Sequence, residues 1–245
     1  SASSGADKAD SISQAGLFPA NARLLEREEA RFTEAGDGTK HVLVLTFESG
    51  DHPLDPWMKR ALEICGDFGG EWDTQALQDE ESQRKGSAGN WRNKFLRGPY
   101  LRPHAIARGV MRDTMESCVT WYRYMEFQAF VKQRTLKAIR EVTGRDGTCT
   151  VRFTHVYPDG PAPYFTWHAL GDKSKLVEQF WAIKSAASDA MCEAGGTITH
   201  HHSLGPDHRK WYDKEVPPLF REVIRSAKNT LDPKWTLNPG ILLDR

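Results

Sequence analysis

The chain has 245 residues, of which 39% are hydrophobic and 27% are charged, so it is long enough to bury a core and ordinary for a globular protein. Its 33 basic residues equal its 33 acidic residues, which gives no reason to expect nucleic acid as a partner. No apolar run approaches the roughly 20 residues of a membrane span, and the first residues lack the apolar core of a signal peptide. We therefore expect a globular protein that is not secreted.

The first half of the chain predicts few regular elements. Residues 1–16 are small and polar and predict a flexible N-terminal segment, either loose or a frayed helix. The apolar run 41–47 predicts a buried strand, and residues 55–68 predict a helix that starts at an Asp-Pro pair and stops at two glycines. Residues 71–90 are charged and rich in Gly and Ser, which predicts an exposed excursion. Residues 93–104 contain a Gly-Pro break and are expected to form a loop.

The second half predicts strands over 110–119, 150–157 and 164–170, and helices over 121–143, 173–194 and 218–231. A turn rich in Pro and Gly joins the last two strands into a hairpin. Strict alternation puts His155 on the same strand face as Val151 and Phe153, with Arg152 opposite. The last helix is expected to turn its apolar residues inward. The pattern predicts an α+β fold, an antiparallel sheet with helices packed on one face.

The segment GGTITHHHSLGPDHRKWY, residues 195–212, contains the three consecutive histidines His200, His201 and His202. It lies inside the chain, so it is not a purification tag, and an ordinary solvated basic loop remains an alternative. Adjacent side chains diverge, so three histidines in a row rarely bind one ion, and we predict no metal. Imidazoles can exchange protons near neutral pH and bind phosphate or carbonyl oxygens. In an extended run His201 would point away from its two neighbours.

Two further segments carry candidate groups. In PYFTWHAL, residues 163–170, Tyr164 and His168 share a face that suits the wall of a ligand site, although an amphipathic edge strand explains it equally well. In residues 93–104, Arg97 and Arg102 flank the Gly-Pro break and could hold a carboxylate or a phosphate. Exposed loop arginines are the alternative there, and no single segment identifies a function.

Taken together, four stretches resemble the C-terminal domain of FAD-linked oxidases in the vanillyl-alcohol oxidase superfamily, and within it the alkylglycerone-phosphate synthase family. The stretches are LFPANARLLEREEA (17–30), the run from Arg102 through DTMES to Trp121, PYFTWHAL (163–170), and the histidine loop with the terminal LDP and TLNPGIL motifs (231–242). The histidine loop and the terminus are the most specific. The resemblance implies that residues 17–245 form this C-terminal domain.

The resemblance also implies roles for single residues. Tyr164 matches a proton-transferring tyrosine, and His200, His201 and His202 match a catalytic triplet, of which His201 and His202 are expected to lie beside the cofactor. Arg102 matches a substrate-binding arginine, and Thr114 falls where the family has a small hydroxyl residue. Ser203 departs from the pattern, because glycine is usual after the triplet.

The family reaction exchanges the acyl group of acyl-dihydroxyacetone phosphate for a fatty alcohol and makes an ether-lipid precursor. The implied cofactor is FAD, bound mainly by an N-terminal domain that nothing in this sequence resembles, so we expect the chain alone to be inactive. The implied partners are a lipid substrate and that FAD-binding domain; a homodimer and a membrane surface are left open. The implied location is the cytoplasm or membrane periphery of a bacterium, or the peroxisome of a eukaryote.

Two other functions remain open from the sequence. The first is FAD-linked oxidation of D-2-hydroxy acids by a related enzyme with the same domain. The second is a non-catalytic module whose basic loop holds an anion.

Overall fold

The structure, a computed structural model, describes residues 2–74 and 86–245. Its strands are β1 (Asn21–Leu25), β2 (Val42–Thr46), β3 (Val110–Glu116), β4 (Thr148–Val156) and β5 (Pro161–Leu170). Its helices are α1 (Ala2–Gln14), α2 (Arg27–Phe32), α3 (Asp55–Asp67), α4 (Gly86–Ala107), α5 (Trp121–Thr143), α6 (Leu176–Glu193), α7 (Gly205–Glu215) and α8 (Pro218–Leu231). Among the described residues, no helix combines the length and apolarity that crossing a membrane requires.

The five strands form one antiparallel sheet in the order β2-β1-β4-β5-β3. The hairpin of β4 and β5 was predicted, but β4 contains a bulge. Phe153 pairs with Pro163 and His155 pairs with Ala162, so Thr154 is the extra residue. The bulge moves His155 to the face of Arg152, and the prediction from strict alternation is therefore wrong.

One face of the sheet carries the hydrophobic core. Helices α5 and α6 pack on it, with α1 beside them against β1 and β4. Its largest contributors from the sheet are Met115, Val151, Phe153, Phe165 and Trp167, all nearly inaccessible to solvent. Burying such side chains stabilises the fold by about 1.5–3 kcal/mol each. The predicted α+β architecture of an antiparallel sheet with helices is confirmed.

The opposite side of β3, β4 and β5 carries mostly polar side chains, and we call it the polar face. The register aligns them in three rows: Glu116–Tyr164–Arg152, Thr114–Thr166–Thr150 and Arg112–His168–Thr148. Two helices lie over part of this face. Phe32 of α2 stacks on His168 with ring centroids 4.9 Å apart, and Gly98 of α4 lies close to Arg112. The remaining part of the polar face is where the candidate site forms.

Two predictions about the first half of the chain differ from the structure. The segment expected to be flexible forms α1, and its Ala9 and Ile12 are each only 1% exposed because they pack into two hydrophobic clusters. The expected loop over 93–104 is part of α4, which continues through Pro99 and Pro103. Proline removes one backbone donor and bends a helix without always ending it. Of the predicted excursion 71–90, residues 75–85 lie outside the described residues.

Helix α8 has the predicted bounds but not the predicted orientation. None of its residues is buried, and Leu219, Val223 and Leu231 are 58–85% exposed. Helical periodicity shows which residues share a face, but it does not show whether that face has something to pack against. In the described residues the apolar face of α8 is directed to solvent.

Candidate active site

The site is built around the carboxylate of Glu116, the last residue of β3. Glu116 is 1% exposed, and its Oε1 accepts the backbone N–H groups of His200 at 3.1 Å, of His202 at 2.9 Å and of His201 between them. Three consecutive N–H groups directed at one oxygen form a nest for an anion. The histidine loop is therefore wrapped around a buried carboxylate.

This turn brings all three imidazoles into the site. His200 Nε2 lies 3.0 Å from the hydroxyl of Tyr157, the ring of His201 stacks on Tyr164 at 6.1 Å, and that of His202 meets Tyr164 edge-on at 5.0 Å. The expectation that His201 points away from its neighbours is wrong, because the loop is a turn and not a strand. Tyr164 and the triplet are brought together.

His155 is a fourth histidine of the site, and the sequence did not reveal it. Its ring centroid lies 4.9 Å from that of His200 and 5.3 Å from that of His201. Burial, together with these two histidines, lowers the pKa of His155, and burial also lowers the pKa of His202. Both imidazoles are therefore biased towards the neutral form, which can accept a proton.

The cation beside Tyr164 belongs to Arg152. Its guanidinium carbon lies 4.0 Å from the centre of the Tyr164 ring, and the buried carboxylate of Glu29 on α2 forms an ion pair with it. Glu29 also accepts the hydroxyl of Thr150. The phenol ring thus lies against a cation that is itself held in place by a buried carboxylate.

The two predicted substrate residues lie at different distances from this cluster. Thr114 is on the polar face, one row from Glu116 and opposite Thr166. Arg102 is exposed on α4 and makes no hydrogen bond or ion pair with another described residue. The structure therefore does not join Arg102 to the histidines, and its role stays a prediction.

A cavity of about 800 Å³ opens next to the histidines. His155, Tyr157 and Arg23 line it, together with residues from the 18–20 loop, β1, β2 and α4. The guanidinium of Arg23 bonds Asn21 Oδ1 at 3.0 Å and lies 4.7 Å from the ring of Trp91. Burial and the nearby Arg152 lower the pKa of Arg23, and no described carboxylate forms an ion pair with it. A half-buried cation without a carboxylate partner favours an anionic ligand.

The donor atoms also limit what the site could hold. In the part of the chain that the structure describes, two groups have ligand atoms within 4.8 Å of one another, namely His155 with His200 and His201, and Glu116 with His201 and His202. Either could hold a metal ion, and the sequence prediction of no metal stays a prediction. A flavin ring presents carbonyl oxygens and ring nitrogens along its edge. The 41% exposed side chain of His201 and the half-buried Tyr164 offer matching hydrogen-bonding groups, so they fit such an edge.

Ser203 has a φ of 68°, in the left-handed region that glycine adopts without steric penalty. The loop thus has the backbone shape that the usual glycine would favour, and serine holds it at a cost of about 1 kcal/mol.

The chain is similar to several known proteins. The family model "FAD linked oxidases, C-terminal domain" matches residues 1–242. An alkyldihydroxyacetonephosphate synthase of Trypanosoma brucei brucei is 27% identical over 245 residues, which cover 93% of this chain and 40% of the relative. An alkyldihydroxyacetonephosphate synthase of Caenorhabditis elegans is 31% identical over 151 residues, which cover 59% of this chain and 25% of the relative. A probable mitochondrial D-lactate dehydrogenase of Danio rerio is 41% identical over 49 residues, which cover 20% of this chain and 10% of the relative.

A solved structure of alkyldihydroxyacetonephosphate synthase superposes with a TM-score of 0.63 at 17% identity, covering 93% of this chain and 40% of that one. That likeness shows the fold, and the chain spans at most about 40% of the length of these relatives. The family match extends over nearly the whole sequence. The chain therefore belongs to the family of FAD-linked oxidase C-terminal domains.

Proposed function

We propose that this chain is the substrate-binding part of a flavoenzyme that replaces the acyl group of acyl-dihydroxyacetone phosphate with a fatty alcohol. The observation that carries the proposal is the convergence of Tyr164 and the triplet around Glu116, beside a cavity lined by Arg23, which forms no ion pair with a described carboxylate. The similarity to relatives named alkyldihydroxyacetonephosphate synthase supports this choice of reaction.

The exchange sets three tasks for the protein. The bond between the substrate carbon and the acyl oxygen breaks, a bond to the alcohol oxygen forms, and a fatty acid leaves. A base must take the alcohol proton, donors must hold the ketone oxygen, and a cation must hold the phosphate. FAD, when bound by a second domain, would supply electron-accepting chemistry at the reacting carbon.

The residues of this chain can divide these tasks. Tyr164, with the guanidinium of Arg152 against its ring, would move a proton at its phenol oxygen. The imidazoles of the triplet would bind substrate oxygens and accept the alcohol proton. Arg23 would hold the phosphate at the cavity wall. The proposal therefore includes two partners, an FAD-binding domain and a lipid substrate.

A second candidate is FAD-linked oxidation of a D-2-hydroxy acid. The short match to a probable D-lactate dehydrogenase favours it, and Arg23 suits a carboxylate as well as a phosphate. The same imidazoles would then take the proton of the hydroxyl group.

The test uses the full-length protein with its flavin domain, and variants Tyr164→Phe and His201→Ala. We expect each to lower ether formation from a long-chain alcohol about 100-fold or more, since each removes a proton-transfer group. The matched controls are Tyr122→Phe, whose ring is 85% exposed, and His52→Ala on the surface.

Near-normal ether formation in both site variants would contradict the site assignment. Flavin reduction by a D-2-hydroxy acid, without ether formation by the unaltered protein, would favour the second candidate. Anion binding with neither reaction would favour a non-catalytic module.

A further inference from the structure

We propose that Glu116 is a positioning residue that holds His201 in one tautomer, with the proton on Nδ1 and the lone pair on Nε2. The residue lies outside the set that the sequence indicated. Its catalytic meaning rests on the proposed function, but the tautomer itself can be measured without any reaction.

The two oxygens of Glu116 have separate partners. Oε1 accepts the three backbone N–H groups of the histidine loop. Oε2 is buried and accepts no hydrogen bond from a described residue; it lies in contact with Nδ1 of His201 and 3.7 Å from Nδ1 of His200. Because three donors surround Oε1, the carboxylate has a fixed orientation and Oε2 is always directed towards the imidazoles.

A carboxylate oxygen carries negative charge and only lone pairs, so contact with it favours the proton on the nearest ring nitrogen, which is Nδ1 of His201. A neutral imidazole has a single N–H, and Nε2 of His201 is then the acceptor. The side chain of Glu116 is inaccessible and that of His201 is 41% exposed, so the fixed end is buried and the ring can be reached from solvent. A buried carboxylate that orients a histidine in this way sets which nitrogen can act as a base.

His200 is held differently. Its Nε2 is engaged by the Tyr157 hydroxyl at 3.0 Å, and its Nδ1 is farther from the carboxylate. We therefore assign the role of accessible base to His201 rather than to His200.

Glu116→Gln tests the tautomer because the histidine loop dictates how the glutamine amide is oriented. Three N–H donors can face only the amide oxygen, so the amide NH2 must be directed at Nδ1 of His201, which then has to accept. The proton should move to Nε2. Nitrogen-15 NMR of the imidazoles in the 245-residue chain at neutral pH measures this, and His201→Gln assigns the resonances.

We expect the Nδ1–H form in the unaltered chain and the Nε2–H form in Glu116→Gln. The matched control is Asp113→Asn on the same strand, whose carboxylate pairs with Lys184 at 2.8 Å on the other face and should leave His201 unchanged. The Nε2–H form in the unaltered chain would overturn the inference, even if the glutamine variant did not fold. An unchanged tautomer in a folded Glu116→Gln would also overturn it.

The activity measurement separates this inference from the proposed function. In the full-length flavoprotein, Glu116→Gln should lower kcat about 100-fold or more and change KM far less, because the substrate contacts remain while the base has the wrong tautomer. A switched tautomer with unchanged ether formation would refute the catalytic role of His201 and leave the tautomer assignment intact.

Discussion

Arg152 connects the fold to the chemistry through a single side chain. It forms a buried ion pair with Glu29, and its guanidinium lies against the ring of Tyr164. Both partners of the ion pair are under 10% exposed, so each charge relies on the other for compensation. The position of the Tyr164 ring therefore depends on a carboxylate of α2 that does not contact the histidines.

Glu29→Gln should destabilise the chain by about 3–5 kcal/mol, because it leaves the buried guanidinium of Arg152 without a countercharge. The free energy of unfolding in urea measures this. The control is Glu141→Gln, which removes an exposed partner of Lys137 and should change stability by less than about 1 kcal/mol. Equal effects of the two substitutions would show that the pair is not desolvated.

The sequence predicts the histidines and the tyrosine of the site, but it does not predict the charged residues that position them. The histidine run and Tyr164 stand out in the sequence, and the structure joins them. Glu116 and Arg152 are single charges in ordinary strands, and only the register of β3, β4 and β5 shows that they meet. His155 was placed on the wrong face because a bulge breaks the alternation, and no residue pattern announces that bulge.

Among the elements, length and periodicity decided what could be predicted. Helix α5 has the predicted bounds and ends at Gly144, which has a φ of 68°. The short β1 and α2 were missed because five or six residues carry too little periodicity. Helix α4 was missed because its prolines are typical of loops.

The hairpin of β4 and β5 depends on the small size of Gly160. A Cβ atom there would lie 2.0 Å from the carbonyl oxygen of Val119, in the segment that leads into α5. Gly160→Ala should therefore destabilise the chain by about 1–3 kcal/mol or more, since backbone must move. The thermal unfolding midpoint measures this.

Gly50→Ala is the control for that substitution, because nothing lies within 4 Å of the added atom. We expect no loss of stability there. If the two alanine variants unfolded at the same temperature, the close approach at Gly160 would be contradicted.

For the molecule as a whole, partly buried histidines couple folding to pH. Burial, aided by Arg112, lowers the pKa of His168 to about 4, and burial also lowers that of His41, His155 and His202. The unfolded chain then takes up protons at a higher pH than the folded chain. The contribution of these histidines to the free energy of unfolding is therefore fully present above about pH 6.5, and it declines as the pH falls towards 4.

His168→Asn should reduce this decline, because the group that titrates only on unfolding is removed. The free energy of unfolding in urea, measured at several values between about pH 4 and 7, gives the slope. His104→Asn on the exposed side of α4 is the control and should keep the original slope. Identical slopes for the two variants would show that His168 is not responsible.

The division of the sheet into two faces has a consequence for how such a domain can diversify. Along β5, Phe165 and Trp167 maintain the interior, while Tyr164 on the opposite face meets the candidate site. Inherited changes at the uncovered positions of that face can thus alter the reaction while the interior is kept. A lineage could exchange one substrate for another through a few polar replacements, and sister enzymes with different chemistry would keep the same interior.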